Sequence, residues 1–120
     1  MELIQIMKAL GDDNRLRILN TLRCNASCVC EIEEILEMSQ SNVSRHLSKL
    51  TNAKIVTFYK EAKYVYYKID EDTLNKYPFI REIINTELDK IDRYKYECSI
   101  ARSYQAQGID CENIQQSKEK

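Results

Sequence analysis

Residues 39–50 read SQSNVSRHLSKL, and residues 54–70 read KIVTFYKEAKYVYYKID. In the first stretch Val43, Leu47 and Leu50 recur at i, i+4 and i+7, the spacing of one helix face. Ser39 precedes them, where a hydroxyl can accept from an otherwise unpaired backbone N–H. The other positions, Gln40, Ser41, Asn42, Ser44, Arg45, His46 and Lys49, are placed on the outer face. Amides, hydroxyls and cations are the groups that meet base edges and phosphates. The second stretch changes period. Val56, Phe58 and Lys60 share one parity, and Tyr64, Tyr66 and Lys68 match them on the return. With Glu61-Ala62-Lys63 as the turn, this predicts a hairpin with cations at its tip.

Working outward, Ile32, Ile35 and Leu36 predict a short helix just before Ser39. Two short helices joined by a few residues, the second polar and basic outside, form a helix-turn-helix, and the hairpin after it is a wing. Upstream, Leu3, Ile6, Met7 and Leu10 predict a helix that Gly11 ends. Asp12 or Asp13 then caps another, built on Leu16, Ile18, Leu19 and Leu22. Downstream, Asp70 caps a short turn and Pro78 breaks it. One long helix is expected from Phe79 through Ile80, Ile83, Ile84, Leu88 and Ile91 towards Tyr94. The expected fold is mainly α with a small β-hairpin, a winged helix-turn-helix over residues 1–108 with a polar tail over 109–120. The first and last helices carry apolar stripes, and a small chain has little else to bury them on. A twofold homodimer is therefore expected, presenting two recognition helices to an inverted repeat.

The chain has 120 residues, with 18 basic and 19 acidic, and this near balance conceals a local excess. Residues 39–68 hold six basic side chains (Arg45, Lys49, Lys54, Lys60, Lys63 and Lys68) and only Glu61 as an acid. A basic middle in an otherwise acidic chain suggests a surface for a polyanion, here double-stranded DNA. With Gly 2 and Pro 1, the composition favours helices. The opening residues carry charges too often for a signal peptide or a membrane span, so a cytoplasmic protein without membrane contact is expected. Cysteines there are mostly reduced, and five is an odd number, so no structural disulfide is expected.

The stretch SQSNVSRHLSKLTNAKIVTFYKEAKYVYYKID, preceded by CVCEIEEIL, resembles the ArsR/SmtB family of metal-sensing repressors over roughly residues 3–94. The resemblance implies a dimeric winged-helix repressor that binds an operator and leaves it when an effector binds. SQSNVSRHLSKL matches the family's recognition helix. CVC followed by an acid resembles the arsenic- and cadmium/lead-responsive members. Zinc- and cobalt-sensing members resemble one another in a His/Asp/Glu site on the last helix, but here the only histidine is His46. Cadmium/lead members add cysteines from an N-terminal extension, whereas no cysteine precedes Cys24. The best-known arsenic pattern has a third cysteine where this chain has Glu33.

Cys24, Cys28 and Cys30 lie within the seven residues CNASCVC. Trivalent arsenic and antimony are soft and take thiolates, so Cys28 and Cys30 are the expected ligands for As(III) or Sb(III) as effector. DNA binding itself needs no cofactor. Cys24 is the leading third ligand, with Cys98, Cys111 or an external thiol as alternatives. A helix start lowers thiol pKa and supplies thiolate. Within an α-helix, residues i and i+2 point about 200° apart, so a bidentate grip is expected to need an unwound first turn. The expected DNA-facing set is Gln40, Ser41, Ser44, Arg45, His46 and Lys49, with Lys60 and Lys63 near phosphates. The alternatives are a Cd/Pb-responsive repressor of the same fold or a thiol-based redox or sulfur sensor. A thiol oxidoreductase or metal-transfer protein belongs to a different class, but the chain shows no βαβ pattern and no C-x-x-C.

Overall fold

The computed structural model describes residues Glu2–Gln107. Cys111 and the expected tail over 109–120 lie outside the described residues. Helix α1 spans Glu2–Leu10 and α2 spans Asp13–Cys24. Asp12 caps α2 by accepting from the Arg15 N–H at 3.1 Å. Strand β1, Ser27–Cys28, leads directly into α3, Val29–Leu36. Helix α4 spans Gln40–Asn52, and Ser39 caps it by accepting from the Asn42 N–H at 3.3 Å. Strands β2, Val56–Glu61, and β3, Tyr64–Ile69, make the wing. Asp70 caps α5, Glu71–Lys76, through the N–H groups of Asp72 and Thr73. Pro78 opens α6, Pro78–Glu82, where its missing N–H costs nothing.

The core draws on most of these elements. Ile6, Ile18, Leu19, Ile32, Val43, Leu47, Leu50, Ile55, Ile80 and Ile84 are almost wholly buried in one cluster. The helix-turn-helix and the wing thus rest on a single apolar mass, which fixes the angle between them.

Several sequence expectations change here. The wing is not a two-stranded hairpin alone: β1 joins it, giving the order β1-β3-β2, antiparallel throughout. A two-residue strand leaves no periodic trace, so its pairing could not be read from the sequence. The wing parity also shifts by one. Phe58 faces Tyr67 and Lys60 faces Val65, while Tyr59 faces Tyr66 and Thr57 faces Lys68. Opposed residues share a face, so Tyr64, Tyr66 and Lys68 lie on the face away from Phe58 and Lys60.

The expected long helix from Phe79 is broken. After α6 comes a π-helical turn, Ile83–Glu87, in which the Leu88 N–H donates to Ile83 O, then a 3₁₀ turn, Leu88–Lys90. Asn85 and Thr86 are weak helix formers at this point. Ile91 is extended, at φ −96° and ψ 120°. Its carbonyl then accepts from Tyr94 and Lys95, both at 3.0 Å, and starts α7, Asp92–Gln107. Ile84 and Leu88, expected on an exposed stripe, are buried within the protomer at 1% and 3% exposure. Among the described residues, the large apolar side chains left exposed are Leu3, Ile4 and Met7 on α1, Phe58, Tyr59 and Val65 on the wing, and Phe79, Ile91 and Tyr96.

Candidate DNA-reading face and thiol site

Helix α3 ends at Glu37, which adopts a left-handed conformation at φ 54°. The Met38 N–H turns back to Glu33 O at 3.3 Å, and Ser39 starts α4. This sets the turn of the helix-turn-helix. On α4 the side chains of Gln40, Ser41, Ser44, Arg45 and Lys49 are exposed, as are Asn42 and Ser48. Arg45 donates to Asn42 Oδ1 at 3.1 Å, which orients its guanidinium along the helix. Lys60 and Lys63 are exposed on the wing. The expected reading face therefore assembles on one side of α4, with one exception.

His46 belongs to the inner face, not the outer one. It is 5% exposed. It follows Val43 by three residues and precedes Leu50 by four, so the helical period puts it on the buried stripe. Its Nδ1 lies 3.3 Å from a guanidinium nitrogen of Arg15. Arg15 also donates to the carbonyls of Ala9 (2.7 Å) and Lys8 (3.2 Å) at the C-terminal end of α1. A cation at a helix C-terminus meets both the free carbonyls and the negative end of the dipole. One guanidinium thus ties α1, α2 and the recognition helix together. Burial lowers the His46 pKa, Asp12 opposes that, and Arg15 adds to it.

A second buried cation braces the other end of the turn. Arg17 Nε donates to both carboxylate oxygens of Glu97 at 3.1 Å, and Nη2 reaches Oε2 at 2.5 Å. The same Nη2 donates to Leu36 O at 3.0 Å, the last carbonyl of α3. The hydrogen bond from Arg17 to Glu97 holds the guanidinium pKa above its usual value, against the effect of burial. Arg15, Arg17 and Glu97 were not singled out from the sequence. Isolated charges in amphipathic helices look like solvated residues until a fold buries them.

The described cysteines divide into two sites. Cys28 sits at the N-cap of α3 with extended backbone, φ −86° and ψ 172°, and Cys30 is in the first turn. Their sulfurs are 3.3 Å apart. The expectation that these residues diverge until the helix unwinds is corrected: the helix starts one residue after Cys28, so the pair already converges. Two sulfurs each about 2.3 Å from one ion and near a right angle would lie about 3.3 Å apart. The Cys28 N–H donates to the carboxylate of Glu31 at 3.2 Å. Glu31 is itself buried, at 1% exposure. Tyr64, Tyr66 and Tyr104 pack against Cys28 and Cys30. Among the described residues, no group of three or more metal-ligating side chains is gathered.

Cys24, the expected third ligand, is joined to Cys98 of α7 by a disulfide, with Cα atoms 5.8 Å apart. This departs from the expectation of reduced cysteines. Packing of α2 on α7 brings the two together, with Asn20 donating to Tyr94 O at 2.7 Å and the Arg17–Glu97 pair alongside. A contact across 74 residues has no local signature. Cys28 is likewise disulfide-bonded in this structure. Ligation of an ion through these sulfurs belongs to the reduced protein.

Known proteins fit this geometry. Residues 12–57, from the cap of α2 into the wing, match the family described as "Bacterial regulatory protein, arsR family". A cadmium resistance transcriptional regulatory protein CadC homolog from Staphylococcus aureus is 38% identical over 73 residues, covering 60% of each chain. The arsenical resistance operon repressor of Staphylococcus aureus is 34% identical over 85 residues, covering 71% of this chain and 82% of its own. Among solved structures, HlyU from Vibrio cholerae N16961 aligns with a TM-score of 0.58 and 31% identity, over 68% of this chain and 88% of that one. No helix of the described residues is long and apolar enough to cross a membrane. With a helix-turn-helix, a basic wing and relatives that are regulators rather than enzymes, the chain belongs to the arsR family of bacterial transcriptional regulators.

Proposed function

We propose that this protein is a cytoplasmic, homodimeric repressor that binds an operator inverted repeat and releases it when trivalent arsenic or antimony binds Cys28 and Cys30. The observation that carries the reading is the 3.3 Å approach of the two sulfurs at the start of α3. The relatives named for arsenical and cadmium resistance point the same way. Ligation is redox-neutral. Each thiol gives its proton to a hydroxide of arsenous acid, which leaves as water, and an As–S bond replaces an As–O bond. The third bond goes to Cys24 once its disulfide with Cys98 is reduced, or to a small external thiol.

Gln40, Ser41, Ser44, Arg45 and Lys49 would read the major groove, and Lys60 and Lys63 would meet phosphates. His46 positions the helix from behind. Effector and DNA oppose each other through one protein, so a tenfold loss of operator affinity needs about 1.4 kcal/mol of coupling.

The test is operator release by the reduced protein, titrated with As(III), Sb(III), Cd(II), Pb(II) and Zn(II). Cys28→Ser/Cys30→Ser is expected to bind operator and to ignore As(III). Release of that double variant at the parent's As(III) concentration would reject the site. A stronger response to Cd(II) or Pb(II) would keep the pair but change the effector.

The Cys24–Cys98 bond favours a second reading, a thiol-based redox sensor. Peroxide would take two electrons from the two thiols, forming the S–S bond and two waters. Peroxide-dependent operator binding that disappears in Cys98→Ser would support it.

A further inference from the structure

The sulfur pair meets the wing more directly than it meets the recognition helix. Cys28 lies in β1, and β1 pairs with β3 in the register Ser27 to Tyr67 and Cys28 to Tyr66. Two of the three tyrosines packed against Cys28 and Cys30, Tyr64 and Tyr66, also belong to β3. Each leads on to a cation. The Lys63 ammonium lies over the Tyr64 ring, 5.5 Å from its centroid. Tyr66 stacks on Tyr59 at 5.7 Å and 17°, and Lys68 lies over Tyr59 at 5.7 Å. Backbone pairing and stacked rings therefore run without a gap from Cys28 to the basic surface of the wing. Along the chain the path to α4 is longer: it crosses all of α3 and the left-handed turn at Glu37.

We propose that the wing is the output of the thiol site: an ion held by Cys28 and Cys30 displaces Tyr64 and Tyr66, the hairpin moves with them, and its tip lysines, Lys60 and Lys63, lift off the DNA backbone. This rests on the arsenic-responsive reading and adds its route. Close-packed interiors do not absorb an inserted atom by stretching, so the tyrosines packed against the pair must shift. Because β3 is bonded to both β1 and β2, the hairpin shifts as a unit. The lysines contribute through phosphates, and phosphate contacts set the salt dependence of binding. Release by this route removes phosphate contacts first and base reading second.

The experiment measures operator affinity against salt, with and without arsenite, on the reduced protein. Arsenite binding is followed separately by near-ultraviolet thiolate–arsenic absorption. The slope of log affinity against log salt is expected to become shallower by about two when arsenite binds, one for each lysine that leaves a phosphate. Lys60→Ala/Lys63→Ala alters only exposed positions. It should bind arsenite like the parent and DNA more weakly, and its ratio of affinities with and without arsenite should fall to near one. An unchanged slope, or a double-alanine variant released by the parent's full factor, overturns the wing route while leaving the effector site standing. A parent that shows no arsenite absorption overturns both.

Discussion

His46 carries a dependence that its place on the inner stripe makes readable. Its ring accepts from Arg15 only while Nδ1 is unprotonated. Protonation would put a second cation against Arg15, with Arg45 and Lys49 also near and Asp12 opposing. The folded pKa is lowered, so the unfolded chain binds the proton more readily. Stability from this group is present above the unfolded value of about 6.5 and is lost as pH falls below it towards the folded value. Thermal melts at pH 7.5 and 5.5 should show a drop in the parent and a smaller one in His46→Gln. Equal drops would mean that the carboxylates alone set the slope. The sequence held the clue to burial, since Val43, His46 and Leu50 share one stripe. Polarity suggested the opposite, and the partner that makes a buried imidazole tolerable, Arg15, lies 31 residues away.

At the scale of elements, α4 and the wing carry different kinds of contact, and substitutions should separate them. Arg45→Ala, on the reading face, is expected to cost about 1–3 kcal/mol of operator binding and to relax sequence preference. Lys63→Ala should weaken binding to all sequences and make the salt slope shallower by about one. Fluorescence anisotropy on operator and scrambled duplexes distinguishes the two, and parental binding by both variants would remove this face from the DNA. The elements with a strong local signal were legible in advance. Ser39 and Asp70 cap where their hydroxyl and carboxylate predicted, and the change from helical period to alternation marked the wing. What escaped was non-local: β1 exists because β3 is there to pair with it, and the wing's face depends on register. The helix from Phe79 breaks at Ile91 although its apolar spacing continues, because spacing of side chains does not report backbone continuity.

At the scale of the whole molecule, the proposed twofold assembly must use what the protomer leaves uncovered. Ile84 and Leu88 already serve the protomer's own core, so charges there would unfold it. Ile4 and Met7 on α1 are exposed at 47% and 54%, and Ile4→Glu/Met7→Glu should leave the fold intact. Sedimentation at micromolar concentration is expected to show a dimer for the parent and a monomer for this variant, with circular dichroism unchanged. Operator affinity should fall with it, since each half-site alone binds weakly. A parent that sediments as a monomer would contradict the assembly.

The bond between Cys24 and Cys98 encloses β1, the helix-turn-helix, the wing and α5 in one covalent ring, with ends 74 residues apart. On the chain-entropy account, closing a ring of that length disfavours the unfolded state by about 4 kcal/mol. The share of molecules open to a protease at any moment would then be about a thousandfold smaller when oxidised than when reduced. Thermolysin digestion of the two forms should show that difference, and similar half-lives would mean that the ring does little. The thiol state of this regulator therefore bears on how long each copy survives, and so on how many copies a cell keeps at a given rate of synthesis.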